Sequence, residues 1–500
     1  MPLILDSPSG SESSFEPRKS GPQEERRRIH HTGDVVIVGA GVLGSALAKG
    51  FGDQGRSVIL LEKSLKEPDR IVGELLQPGG VQALQELGME DCVEDIDAIR
   101  VKGMSVQFYD EIIQIPYPAA KPITQSRSNS RKEDSPSKPQ GRSFHHGRFV
   151  AKLRAAAMRH PNVTVFETEA TSVITCDDSN QVLGVQAITR KTQQDYFFAD
   201  LTIICDGYAS KFRKSYTHHT PKVKSKFWGM ELKDCRLPFP EHGFVSLADR
   251  PPVLLYQIAT HDTRVLVDIP DNAPTASVAA GGVKNHLRSV ICPTLPSEIR
   301  PSFLAALEAP GALRSMPNSF LPPTTNRTPG LALLGDALNM RHPLTGGGMT
   351  VALNDVVLLT TLLHPSQVPD LADTKLVLKQ FKTFHWRRKN LTSVINILAQ
   401  ALYSLFAANK PELKYLQRGC FRYFQLGGAC IEEPAGLLGG IIRRPIVLVY
   451  HFFAVALLSI WVLYKEGGLL WFPWSFVMGL RVFWEAVVVI GPYILAEMKS

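Results

Sequence analysis

The feature that most constrains this chain is a glycine turn set between two short apolar strands. Residues 34–38, Asp-Val-Val-Ile-Val, are a β-branched run of the kind that forms a buried parallel strand. They lead directly into Gly39-Ala-Gly41-Val-Leu-Gly44 and then into a helical stretch over residues 45–54. A second strand over 57–61 ends at the acid Glu62. Each glycine has a physical reason: Gly39 permits the tight turn, Gly41 lets the backbone approach a pyrophosphate, and Gly44 lets helix and strand pack closely. The free N–H groups at the helix N-terminus favour phosphate oxygens. Glu62 is suited to accept hydrogen bonds from ribose hydroxyls, and an acid there disfavours a 2′-phosphate. The expectation is an α/β fold that binds FAD or NAD rather than NADP.

Composition bounds the remainder. The chain has 500 residues, 44% hydrophobic and 20% charged, which allows several domains and excludes a fibrous or wholly disordered protein. Seven cysteines without a CxxC pair suit a reducing compartment and make neither a disulfide framework nor a zinc module. His145-His146 have no acid or cysteine to complete a site, so no metal is expected. The net charge of +8 admits nucleic acid or a membrane surface, so position has to decide.

Residues 1–32 are polar, hold the run Glu24-Glu25-Arg26-Arg27-Arg28 and have no apolar signal core; they read as a disordered tail. Residues 121–143, rich in Ser, Lys, Arg and Pro, read as a disordered surface insertion. The C-terminal end is the opposite. Residues 446–464 carry no formal charge and are long enough to span a bilayer, and shorter apolar stretches follow at 469–480 and 486–496. Trp and Tyr cluster near their ends as interface anchors do. Pro473 and Gly491-Pro492 read as breaks, which favours a monotopic hairpin over a full crossing. Arg443-Arg444 flank the first stretch and fit cytosolic retention, and truncation before Arg443 is expected to release the chain from membranes. Residues 391–408 read as an apolar helix, either core or membrane-facing. Nucleic acid is not an expected partner.

Two later segments distinguish FAD from NAD. Residues 201–206 are an apolar strand delivering Asp206-Gly207, with Arg213 following; residues 333–336 deliver Gly335-Asp336, then a glycine turn at 346–348 and an apolar helix over 349–363. Open parallel sheets bind ligands at such strand ends. Together these segments resemble the class A flavoprotein monooxygenases of the hydroxybenzoate-hydroxylase fold, whose "DG" and "GD" fingerprints they match. Asn339 and Thr350 stand where many relatives carry His and Asn, which points to a subgroup. Asp69-Arg70-Ile-Val-Gly-Glu74-Leu-Leu-Gln77-Pro-Gly-Gly80, Phe144-His-His-Gly-Arg148-Phe and Asn339-Met-Arg-His-Pro-Leu-Thr-Gly-Gly-Gly-Met349 resemble the squalene monooxygenase family, in its fungal form.

The resemblance implies a Rossmann-like FAD domain, an antiparallel-sheet substrate domain and a C-terminal helical membrane-associated segment. FAD segments at about 33–100, 144–213 and 328–390 interleave with substrate segments at about 101–120 and 214–327, and 391–500 form the membrane-anchoring region. It assigns non-covalent FAD to Gly39, Gly41, Val42, Leu43, Gly44, Glu62, Lys63, Arg70, Leu75, Arg148, Asp336 and Met349, with Tyr117 and Gln77 near flavin and substrate. Residues 401–406 and 421–424 are candidates for the pocket wall or for helix packing. The activity implied is epoxidation of squalene by O₂ to 2,3-epoxysqualene in ergosterol biosynthesis, through a flavin C4a-hydroperoxide. Electrons are implied to come from NADPH through NADPH–cytochrome P450 reductase, at the endoplasmic reticulum membrane with the catalytic part cytosolic; microsomes or lipid droplets also fit. Another isoprenoid hydroxylase or geranylgeranyl-type reductase, or a membrane-bound flavin redox carrier, remain as other readings.

Overall fold

The structure is a computed structural model that describes residues 30–119, 138–311, 313–467 and 472–499. Residues 1–29 of the expected tail and 121–137 of the expected insertion lie outside the described residues. The β-branched and apolar runs pair as five parallel neighbours: Leu331–Leu333, Gln193–Ile204, His31–Val38, Val58–Glu62 and Val163–Thr175. Strand Val182–Thr189 closes the far ends by pairing antiparallel with both Val163–Thr175 and Gln193–Ile204. Register sets where the strands end. Val38 sits opposite both Leu61 and Ile204, and Ile204 opposite Leu333. Gly39, Glu62, Asp206 and Gly335-Asp336 therefore leave one edge of one sheet together.

A second sheet of seven strands runs in the order Arg314–Phe320, Lys222–Lys233, Asp262–Pro270, Arg250–Gln257, His242–Ala248, Gly103–Phe108 and Glu111–Pro116. It is antiparallel except where His242–Ala248 lies parallel to Gly103–Phe108. A small third sheet joins Leu75–Leu76, Gly141–Ser143 and Ile99–Val101. Two expected boundaries move. Gly141–Ser143 is a strand rather than part of an irregular insertion, because its backbone pairs on both sides. The first strand begins at His31, inside the expected tail, where the His31 ring stacks on Phe197 at 4.9 Å.

Nine of the helices build or cover the site: α1 Val42–Asp53, α2 Pro78–Glu86, α3 His146–Met158, α4 Gly348–Leu362, α5 Thr374–Ala407, α6 Pro411–Gln425, α7 Ala429–Leu438, α8 Pro445–Gly467 and α9 Phe472–Met498. Helix α5 is one 34-residue element that starts before the expected boundary at 391. Its most apolar window is 78% buried, so it is a core helix and not a membrane face. Helices α8 and α9 differ: only 39% and 33% of their most apolar windows are buried. The breaks expected in α9 are absent. Pro473 stands in its first turn, where the missing N–H costs nothing. Pro492 does remove one bond from the ladder, but Ala486, Val489 and Ile490 pack into the core and hold the helix through it.

Buried ion pairs tie these parts together. Arg264 of the second sheet makes a two-pronged pair with Glu74, Nε to Oε2 at 2.7 Å and Nη2 to Oε1 at 2.9 Å, with both side chains buried. Arg388 of α5 grips Asp355 of α4 in the same way, at 2.9 and 2.6 Å. Removing one partner of such a pair costs about 3–5 kcal/mol, because the other charge is left buried and uncompensated.

Candidate active site

The shared edge of the parallel sheet opens into a cavity of about 710 Å³ that extends to the second sheet. Its polar end is built by the three turns. Gly39 adopts φ +103°, and a Cβ on it would lie 2.7 Å from the Cys205 carbonyl oxygen. A Cβ on Gly44 would lie 1.9 Å from the Gly39 carbonyl oxygen, so Gly44 is a packing position behind the wall. Gly41 is different: a Cβ there meets nothing within 4 Å, and the space it opens is cavity. Val42, Leu43, Lys63, Arg70, Leu75 and Met349 also face the cavity.

Glu62 accepts a hydrogen bond from the Ala40 N–H at 2.8 Å and one from the Ser64 N–H at 3.2 Å. Arg154 locks the same corner: its Nε donates to the Ala40 carbonyl at 2.8 Å and its Nη2 lies 3.5 Å from Glu62. Arg154 is a cavity residue that sequence reading missed. Arg148, the arginine expected there, instead reaches the Ile96 carbonyl at 3.3 Å and takes no part in the wall.

Arg213 staples the other two turns to each other. Its guanidinium donates to the carbonyls of Gly207, Tyr208, Asp336 and Ala337 at 2.8–3.2 Å. That leaves the carboxylates of Asp206 and Asp336 facing the cavity. Desolvation raises the pKa of both carboxyls, opposed at Asp336 by Arg341, Arg70 and Arg213. Asp206 Oδ1 is buried with no hydrogen-bond partner among the described residues. Helix α4 points its N-terminus at the same space with no acid in its first turn and no capping side chain. An open glycine cradle, an unpartnered carboxylate oxygen and an uncapped helix end fit a ligand bearing phosphates, ribityl hydroxyls and an electron-rich ring.

The opposite end is apolar. Met104, Leu254, Tyr256, Leu266 and Met316 project from the second sheet to form it. Residues 401–406 and 421–424 are not in this wall; Tyr403, Leu405, Phe406, Phe421 and Phe424 are buried in the helical core behind it. Tyr117 and Gln77 also stand behind the wall. The Tyr117 hydroxyl donates to Gln77 Oε1 at 2.5 Å, and Gln77 Nε2 donates to the Thr345 carbonyl at 2.7 Å. Burial raises the pKa of the Tyr117 phenol, so it keeps the proton it donates. The pair thus buttresses the glycine turn before α4. His145 does have acids beside it, contrary to the sequence reading: Glu231 and Asp262 bring ligand atoms within 4.8 Å. Lys233 Nζ, 2.6 Å from each acid, already occupies them as a shared ion-pair partner.

Comparison with known proteins decides the family. A family model described as squalene epoxidase matches residues 198–477, and one described as an FAD binding domain matches residues 32–280. The squalene epoxidase of Aspergillus fumigatus is 61% identical over 474 residues, 95% of each chain. This chain belongs to the squalene epoxidase family. The squalene monooxygenase of Mus musculus is 43% identical, over 93% of this chain and 78% of its own. Among solved structures, a flavoprotein/dehydrogenase of Cytophaga hutchinsonii superposes with a TM-score of 0.65 at 16% identity, covering 86% of this chain and 99% of its own. The p-nitrophenol 4-monooxygenase of Pseudomonas putida gives 0.61 at 17%, covering 84% and 98%. These two likenesses establish the flavin monooxygenase fold. In this squalene epoxidase-family chain the outward faces of α8 and α9 carry Tyr450, Leu457, Trp461, Trp484 and Leu495.

Proposed function

We infer that this chain is an FAD-dependent squalene epoxidase of sterol biosynthesis. The observation that carries the reading is one continuous cavity with a dinucleotide cradle at one end and an apolar wall at the other. FAD, when bound, supplies the activation of O₂. The chain's own residues do the rest. The 39–43 turn and the N-terminus of α1 hold the pyrophosphate. Glu62 and Arg154 fix the corner at the ribose, and Asp336 and Arg341 meet the polar chain of the cofactor. Met104, Leu254, Leu266 and Met316 align the alkene and keep water out, which preserves the reactive oxygen for transfer. Tyr117 and Gln77 hold the Thr345 turn in place rather than exchanging a proton with substrate. No acid–base pair is required for oxygen transfer to an alkene.

Electrons come from NADPH through a separate NADPH–cytochrome P450 reductase. The chain has one dinucleotide turn, which FAD takes, and a net charge of +8 that favours an acidic partner. Stopped-flow absorbance should register slow flavin reduction by NADPH alone and rapid reduction once the reductase is added; rapid bleaching without a partner contradicts this. The protein lies on the cytosolic face of the endoplasmic reticulum membrane as a monotopic enzyme. In support, α8 has buried residues from Leu448 to Leu463 and α9 from Ser475 to Glu497, packed on each other and on α5 and α6. Helices held in this way along their length keep an outer face for lipid. Squalene, an apolar chain dissolved in that lipid, enters from this side.

A further inference from the structure

The far end of the lipid-facing helix α9 turns inward beside the flavin site. Glu497 is 6% exposed, although it is the penultimate residue of a helix with a wet or lipid-facing side. Its Oε1 accepts a 2.6 Å hydrogen bond from Asn396 Nδ2 on α5. The same amide nitrogen donates to Asn339 Oδ1 at 3.2 Å. Asn339 Oδ1 and the Asn339 carbonyl accept from Arg341 Nη2 at 2.8 and 2.9 Å, and Asn339 Nδ2 donates to the Leu321 carbonyl at 2.7 Å. Arg341 stands in the cavity wall. A second tie holds the helix end, where Lys389 Nζ donates to the carbonyls of Glu497 and Lys499.

Every member of this chain of groups is buried. Burying a carboxylate is costly unless hydrogen bonds compensate it. Neither the apolar wall nor the membrane-facing stripe needs an acid at this position. The relay needs a hydrogen-bond acceptor there: with Glu497 in place, the Asn396 amide is oriented, Asn339 presents its oxygen to Arg341, and the guanidinium is held in the cavity wall.

We propose that Glu497 is a positioning residue for the FAD site, acting through Asn396 and Asn339 on Arg341. The end of the membrane-facing helix is then part of the cofactor site. This rests on the reading of the cavity as the FAD site. The test uses the full-length chain in detergent micelles, stripped of flavin and titrated with FAD by flavin fluorescence, with circular dichroism of the bound flavin as a second readout. Losing a hydrogen bond to a charged group should weaken FAD binding about tenfold in E497A and in N396A. The double variant should be no weaker than either single one, since both break the same relay. E497Q, whose amide oxygen still accepts from Asn396, should bind within about threefold of wild type. E497D, one methylene too short, should behave like E497A, and it carries the test if E497A does not fold. Wild-type FAD affinity and flavin dichroism in E497A and E497D overturn the proposal, even if both melt earlier. So do losses in E497A and N396A that multiply, or an E497Q as weak as E497A. Failure of the wild-type chain itself to bind FAD would instead refute the site assignment.

Discussion

Gly41→Val is expected to yield a folded chain that does not retain FAD. Gly41 caps α1 with φ −79° and ψ −162°, an extended conformation that valine adopts without strain. A Cβ there meets no protein atom within 4 Å. The branched side chain therefore costs the fold little beyond a poorer helix cap and fills the cradle through which the pyrophosphate passes. Loss of the charge-assisted contacts at the helix end should lower FAD affinity by about a hundredfold or more. The neighbouring glycine gives the contrast: Gly44→Ala puts a Cβ 1.9 Å from the Gly39 carbonyl oxygen and should prevent folding altogether. Flavin absorbance of the purified proteins, beside a thermal melt of each apoprotein, separates the two. A Gly41→Val protein with full FAD occupancy would show that this turn is not the cofactor cradle.

Truncation before Arg443 should abolish folding rather than release a soluble enzyme, although the apolar sequence alone reads as a detachable anchor. Leu448, Phe452, Val455, Ala456 and Leu463 of α8, with Met478, Val482, Ala486, Val489 and Ile490 of α9, are part of the same buried cluster as Val394, Ile397, Leu398 and Tyr403 of α5. Each large apolar side chain stripped from such a core costs about 1.5–3 kcal/mol. A few of them exhaust the roughly 5–15 kcal/mol that keep a domain folded. Glu497 and its bond to Asn396 go with them. Membrane attachment is better probed on the outer stripe, where Tyr450, Leu457, Trp461 and Trp484 are each more than half exposed. Replacing all four with serine should leave the fold intact and move the protein to the soluble fraction. A truncated chain that is soluble, monodisperse and flavin-loaded would contradict a structural role for α8 and α9; a stripe variant that still sediments with membranes would place the anchor elsewhere.

The contrast between these two cases marks where sequence reading succeeds. The glycine turn is legible because its constraints are local: the left-handed φ of Gly39 and the close approach at Gly44 arise from a strand, a turn and a helix within a dozen residues. Asp206 and Asp336 are legible for a related reason, since strand register brings them to the edge that Gly39 leaves. What depends on the orientation of a helix is not. Arg148 and Arg154 both lie on α3, but six residues turn the helix by about 240°, so only one of them faces the cavity. The Gly491-Pro492 pair reads as a stop, yet packing on one side carries α9 through it. Contacts between distant segments are invisible in the same way. Nothing near His145 in sequence announces Glu231, Asp262 and the Lys233 that bridges them. The relay from Glu497 to Arg341 joins residues more than a hundred positions apart and has no sequence signal at all.

The most direct test of epoxidation at this site is isotopic. The purified full-length chain in detergent, loaded with FAD, is supplied with squalene, NADPH, NADPH–cytochrome P450 reductase and ¹⁸O₂, and the organic product is analysed by mass spectrometry. The expected product is 2,3-epoxysqualene carrying a single ¹⁸O atom, formed only when flavin and reductase are both present. Flavin that is reduced and reoxidised while squalene is recovered unchanged, or a product whose oxygen comes from water, would contradict the assignment.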